Sequence, residues 1–231
     1  MTLYRIDATI IKVYNEDLYR QRYRPAAALP SHNQRWTMTA TRYIIMADGK
    51  MTRWKNFLVP KHMLPVHGEP ILLRTVRLVR RFDPDAEIII TSHNPSYEVP
   101  GTVRYEPQNN HCEIDRFTWE LIGDGVCFLY GDVYYTDQAI EKIAAMSAEA
   151  LGFAGNGTEI FAVKVGDGEY QKACIRKLKE AGGQGRGMQL YELAAGDGKA
   201  VFCPIADDTT GFNTEEEYRA FARRIDPDAK L

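Results

Sequence analysis

Four cysteines in 231 residues, Cys112, Cys127, Cys174 and Cys203, form no C-x-x-C pair. Neither a zinc cluster nor a disulfide framework is therefore suggested, and Cys127, inside an apolar run, reads as a small core residue. No apolar run reaches the roughly 20 residues that a membrane-crossing helix needs. The first residues lack the basic, apolar and small-residue succession of a secretory signal, so a reducing cytoplasm is the expected compartment. An excess of charge is missing as well. Lys and Arg number 29 against 31 Asp and Glu, a formal net charge of -2. Neither nucleic acid nor a membrane surface is an expected partner of so balanced a chain. The length suits a single domain with an arm, and is enough to bury a substantial core.

What is present centres on the stretch from Tyr43 to Pro70. Tyr43, Ile44, Ile45 and Met46 form a short apolar run of the buried-strand kind. A turn of small and charged residues follows: Ala47, Asp48, Gly49, Lys50, Met51, Thr52 and Arg53. Pro60-Lys61 comes next, then a second turn at His67-Gly68-Glu69-Pro70 and an apolar-periodic segment. Strand, cation-bearing loop and helix make the layout of a phosphate site. Backbone N–H groups of such a loop face anionic oxygens, and Arg53 and Lys61 add positive charge. An ordinary charged surface loop has the same composition, so the pattern alone leaves both readings open.

The remaining chain alternates strand and helix. Residues 1–40 are set apart as an N-terminal arm, with a strand-like alternation from Tyr4 to Tyr14 and an Arg/Tyr segment from Leu18 to Arg24. Such a segment is solvated or packs on a neighbouring subunit, which leaves a homo-oligomer open. Its aromatic spacing fits no RNA-binding module. Residues 41–231 form the domain. Apolar positions from Ile71 to Phe82 predict an amphipathic helix. Strands are predicted over Glu87–Ser92, Thr102–Tyr105, Val126–Tyr130, Leu151–Ala154, Glu159–Val165 and Val201–Ile205. Helices are predicted over His111–Ile122, from Thr136 through Met146, over Asp167–Ala181, and over Glu215–Arg224 with Thr214 and Glu217 as its capping box. The glycine-rich stretch Gly182–Gly187 reads as a mobile loop on the acceptor side, without the strand-before, helix-after context of a dinucleotide fingerprint. Lys164, placed only loosely by its strand, is a further candidate contact for a phosphate.

The stretch at 43–72 resembles the signature of nucleotidyltransferases with a glycosyltransferase-A-like fold: nucleoside-diphosphate-sugar pyrophosphorylases, cytidylyltransferases and molybdopterin-guanylyltransferase-like enzymes. That signature runs approximately L-A-A-G-x-G-x-R, a spacer, then P-K-x-L-x-x-x-x-G-x-P-[LI]-[LI]. Met46-Ala47-Asp48-Gly49 and Thr52-Arg53 stand for its first part. Pro60-Lys61, Leu64, Gly68, Pro70, Ile71 and Leu72 match its second part in register. Two positions depart: Met51 replaces the second glycine, and Asp48 a small residue. The resemblance implies an α/β protein, a three-layer α/β/α sandwich around a Rossmann-like mixed sheet, mostly parallel. It implies transfer of a nucleoside monophosphate from a nucleoside triphosphate to a phosphorylated small acceptor, a sugar 1-phosphate or a phosphocholine-like molecule, with pyrophosphate release. A glycosyltransferase using a nucleotide sugar, or a non-catalytic nucleotide binder, are the alternatives.

The same resemblance assigns roles. Arg53 and Lys61 are the catalytic cations. Ala47, Asp48, Gly49, Lys50, Met51 and Thr52 form the nucleotide-binding loop. Gly131-Asp132 follows an apolar strand, where relatives place a magnesium-binding Asp, and Thr136 is the better cap for the next helix, which leaves Asp132 free. Asn213, just before the last helix, matches the second Mg2+ ligand, with Asp208 as substitute. Glu113 stands where relatives meet the base. A carboxylate opening a helix accounts for it equally without any ligand.

Overall fold

The computed structural model describes residues 41–49, 54, 60–182 and 185–226. The arm, the loop residues Lys50, Met51, Thr52 and Arg53, and the last five residues lie outside the described residues. The strands are β1 (Arg42–Met46), β2 (Pro65–Val66), β3 (Glu69–Pro70), β4 (Glu87–Thr91), β5 (Val103–Tyr105), β6 (Val126–Tyr130), β7 (Val133–Tyr134), β8 (Leu151–Gly155), β9 (Ile160–Val165), β10 (Ala200–Pro204) and β11 (Thr210–Gly211). The helices are α1 (Ile71–Phe82), α2 (Asp137–Ala145), α3 (Gly168–Glu180), α4 (Gly187–Gly196) and α5 (Glu215–Ile225). Among them none is long and apolar enough to cross a membrane.

Seven strands pair in the order β10-β8-β9-β6-β1-β4-β5. All neighbours are parallel except at β9, which runs against both β6 and β8. This is the predicted mixed, mostly parallel sheet. Central strands of such sheets are covered on both faces and read as continuous apolar runs. β1 and β6 obey: Tyr43 to Met46 and Val126 to Tyr130 are all buried. Helix α1 buries Ile71, Leu72, Thr75, Val76, Leu78 and Val79. Its arginines turn outward and find partners. Arg77 grips Glu69 through two hydrogen bonds, and Arg74 reaches the Tyr135 carbonyl and Asp137.

Two apolar clusters form. The larger fills the sheet and its covering helices; the smaller joins Trp54, Leu64, Val66, Ile71, Tyr134, Phe212, Tyr218, Phe221 and Ala222. In the smaller one, rings meet edge-on or tilted. Phe212 lies 5.1 Å from Phe221 and 5.7 Å from Tyr218, and Tyr134 lies 5.0 Å from Phe221. It ties three distant stretches together: the 60–71 segment, the β7–β11 ribbon and α5.

Two predicted elements are corrected. His111–Ile122 is not one helix but two 3-10 turns, Glu113–Arg116 and Trp119–Leu121. The Asp115 carboxylate accepts from the backbone N–H groups of His111 and Cys112 and winds the start tightly. Buried Ile114 and Phe117, three apart, suit the 3-10 repeat. The glycine-rich loop is followed by a helix, α4, which the sequence reading omitted. It buries Gly187, Leu190 and Ala194, and a helix, not a strand, precedes the loop.

Candidate active site

The sheet's register sets the site. Met46 is level with Thr91 on one side and Tyr130 on the other, so β1, β4 and β6 end in one row. Parallel sheets place ligands outside such carboxyl ends. Beyond the row, Ala47 N donates to the Thr91 carbonyl and Gly131 N to the Met46 carbonyl, both at 3.0 Å. The chain is tightest at Gly131. A side chain there would meet the Met46 carbonyl at 2.7 Å and Ala47 and His62 at 3.2 Å, so only glycine lets Asp132 follow so closely on β1.

Pro60 opens a 3-10 turn, Lys61–Met63, whose three residues are all buried. That burial carries Lys61 inward, and its ammonium pairs with the Asp132 carboxylate. Burial alone would raise the Asp132 carboxyl. The charges of Lys61, His62 and Arg116 and the Lys61 hydrogen bond outweigh it and hold the carboxyl below its ordinary value. Behind the pair, burial pushes the His62 imidazole down to about 4, and its Nδ1 lies 3.1 Å from the Tyr97 hydroxyl. The imidazole is neutral at physiological pH.

The opposite wall comes from β9 and α5. Continuing the β6–β9 register past Leu129 and Ala162 brings Glu159 opposite Asp132. Burial raises the Glu159 carboxyl; a hydrogen bond with the Asn213 side chain opposes this, and the Asp132 charge adds to it. Asn213 is itself pinned. The Thr214 hydroxyl accepts from Glu217 N at 3.2 Å, and the Glu217 carboxylate accepts from Asn213 N at 2.7 Å. The predicted capping box thus closes one residue early, on Asn213 rather than Thr214.

Lys61, Glu113, Asp132 and Asn213 line one cavity of about 470 Å3. The structure brings these four predicted residues together. Ala47, Asp48 and Gly49 stand at the end of β1 beside it, without lining it. The Asp48 carboxylate accepts from His93 N and Asn110 Nδ2, at 2.9 and 2.7 Å, and meets His93 Nδ1 at 2.9 Å. It ties the end of β1 to His93 and Asn110, which explains how a carboxylate fits where the resemblance expects a small residue. Thr136 caps α2 as expected, with Ala139 N donating to its hydroxyl. Asp208 is drawn off to Arg224, which leaves Asn213 as the residue on the cavity. Lys164 does not reach the site. Because β9 runs backward, its last residues lie at the amino edge of the sheet, and the Lys164 ammonium donates to the Ala144 carbonyl.

Sequence reading missed Arg116, Tyr130, Glu159 and Arg186, which also line the cavity. Only Glu159 left a signal, as the charged residue after a Gly-Asn-Gly turn at a strand start. Among the described residues, no group of three or more His, Cys, Asp or Glu gathers as a metal site.

No family model matches the chain. A stretch of 121 residues is 26% identical to the 2-C-methyl-D-erythritol 4-phosphate cytidylyltransferase of Chlamydia pneumoniae, covering 47% of this chain and 56% of that protein. The chain thus spans little more than half the length of the curated relative it matches. Among solved structures, it is similar to the CTP:phosphocholine cytidylyltransferase of Streptococcus pneumoniae, with a TM-score of 0.54 at 12% identity over 80% of this chain and 99% of that one. It is also similar to the inositol-1-phosphate CTP transferase of T. maritima, with a TM-score of 0.50 at 13% identity over 83% and 98%. A local match to a cytidylyltransferase and a sheet shared with two more agree with the signature at residues 43–72: this chain has the glycosyltransferase-A-like fold of the nucleotidyltransferases.

Proposed function

We propose that the chain transfers a nucleoside monophosphate from a nucleoside triphosphate to a phosphorylated small acceptor. One observation carries the reading. A Lys–Asp pair, its lysine buried and its carboxylate partly so, stands at the carboxyl ends of β1 and β6, in a cavity whose far wall holds Asn213. An oxygen of the acceptor phosphate attacks the α-phosphorus. The bond to the β-phosphate oxygen breaks, and pyrophosphate leaves with the electron pair. The acceptor phosphate is itself the nucleophile, so the protein supplies alignment and charge.

Lys61, paired with Asp132, turns to the α-phosphoryl oxygens when substrate enters. Backbone N–H groups of the loop beyond Ala47, whose own N–H is taken by the Thr91 carbonyl, hold the phosphates. Arg53, outside the described residues, takes the leaving pyrophosphate by resemblance to relatives. Asp132 and Asn213 offer hard oxygen donors, the kind Mg2+ takes from one or two side chains, with phosphate oxygens and water completing its shell. Bound there, Mg2+ would neutralise phosphate charge and favour in-line geometry. The chain's likeness to a phosphocholine cytidylyltransferase and an inositol-1-phosphate CTP transferase supports a phosphocholine-like or sugar 1-phosphate-like acceptor.

Pyrophosphate release tests the reading, measured over the four common triphosphates with phosphorylated acceptors, with and without chelator. Acceptor-dependent release that chelator abolishes is expected. Turnover of nucleotide sugars instead would make the chain a glycosyltransferase. Triphosphate binding without release would make it a binder only.

A further inference from the structure

Arg116 has no role in the signature, yet its setting is unusual. It ends the turn Glu113–Arg116, is half-buried and lines the cavity with Lys61 and Asp132. Its guanidinium packs against Gly49. A Cβ built at Gly49 would stand 3.1 Å from Nη2, 3.3 Å from Cζ and 3.7 Å from Nε. Among the described residues no carboxylate or carbonyl takes a hydrogen bond from it. Its charge is nonetheless felt at Asp132, His62 and Tyr130.

A half-buried cation with no hydrogen-bonded carboxylate among the described residues gains when an anion arrives. Lys61 already has Asp132. The planar fork of Arg116 remains open toward the cavity, and such forks suit phosphate, which they hold through two parallel hydrogen bonds. We infer that Arg116, packed beside Gly49, binds the phosphates of the triphosphate. This rests on the nucleotidyl-transfer reading above. It also gives Gly49 a purpose: a methyl group there would crowd the Arg116 guanidinium.

The test measures binding of CTP, UTP, ATP and GTP by calorimetry, and then KM for the triphosphate and the acceptor separately. Parent, Arg116→Gln and Arg116→Lys are compared, each checked by thermal melting. Arg116→Gln should weaken binding of the accepted triphosphate at least about tenfold, the scale of one charge-assisted contact, and leave the acceptor KM unchanged. Arg116→Lys, a cation without the fork, should recover part of the loss. Equal binding by parent and Arg116→Gln overturns the inference alone, as does a rise confined to the acceptor KM. So does an Arg116→Lys variant no better than Arg116→Gln. A parent that binds none of the four triphosphates removes the underlying reading and this one with it.

Discussion

The two apolar clusters differ in kind. The larger is mostly aliphatic and built from elements that each announce themselves: Ile44, Ile45, Ile88, Ile90, Leu129 and Val163 sit on strands, Val76 and Leu78 on a helix. The smaller is rich in rings and draws on Trp54, Tyr134, Phe212, Tyr218 and Phe221, from parts of the chain far apart. The first holds the sheet. The second holds the segment bearing Lys61 and the one bearing Asn213 on either side of Asp132. Fold and site therefore rest on different packing, and damage to one should be separable from damage to the other.

The largest effect should come from cutting a ring out of each. Phe153→Ala in the sheet core should cost about 3–5 kcal/mol, the usual range for a buried aromatic, and lower activity only in step with the unfolded fraction. Phe221→Ala should cost toward the low end of that ~3–5 kcal/mol range yet lose far more activity per folded molecule. Denaturation and turnover on the same samples decide the matter. Equal activity per folded molecule in both variants breaks the comparison.

Lys61→Ala should lower turnover by about 10²-fold or more with the melting transition kept, the scale of one lost transition-state charge contact. Asp132→Ala should abolish chelator-sensitive turnover. A folded Lys61→Ala enzyme that works at the parent's rate sinks the site assignment while leaving the fold untouched.

A smaller effect lies in the polar seam of the large cluster. Asp115 has a side chain only 3% exposed. Burial would raise its carboxyl, but hydrogen bonds from Lys179, Cys112 and His111 bring it down to about 2 from an ordinary 3.8. A depressed folded value means that its stabilisation is present above about pH 4 and lost as pH falls toward 2. The loss should be about 2 kcal/mol, from the size of that depression. Chemical denaturation from pH 5 to 2 should show a steeper fall for the parent than for Asp115→Asn, in units set by the linkage slope at about 25 °C. Parallel curves would rule this out.

The smallest should be a gain. Gln171 on α3 is fully buried, and among the described residues neither its amide nitrogen nor its oxygen has a hydrogen-bond partner. Gln171→Met, similar in shape and free of the amide, should stabilise the protein by about 1 kcal/mol, since an unpaired buried amide forfeits its hydration. A lower melting temperature would show that the amide is needed after all.

Legibility divided along the same line. Apolar runs and caps declared the strands of the sheet, α1, α2, α3 and α5, because burial on one face or both writes a period into the sequence. Residues 43–72 pointed to Lys61, and the Gly-Asp after β6 pointed to Asp132. The turns at 113–121 were hidden because the Asp115 carboxylate accepts from His111 N and Cys112 N, an arrangement that no apolar period reports. α4 was hidden behind the glycines before it. Arg116 and Arg186 reach the cavity through tertiary contacts alone, and a lone arginine in sequence has no address. Lys164 misled because a strand's direction, set by its neighbours, decides which end meets the substrate.

That reversed strand has a practical consequence. A parallel strand delivers its last residues to the site and needs a long crossover to return. β9 instead follows β8 through a short hairpin, in which the Asn156 side chain accepts from Thr158 N and Glu159 N at 3.0 and 2.9 Å. The hairpin tip is therefore a graft point. Loops of other lengths spliced in at 156–158 should reshape the cavity wall beside Glu159 while both flanking strands keep their partners. Substrate preference could then be re-engineered at this one exposed turn, without touching either cluster.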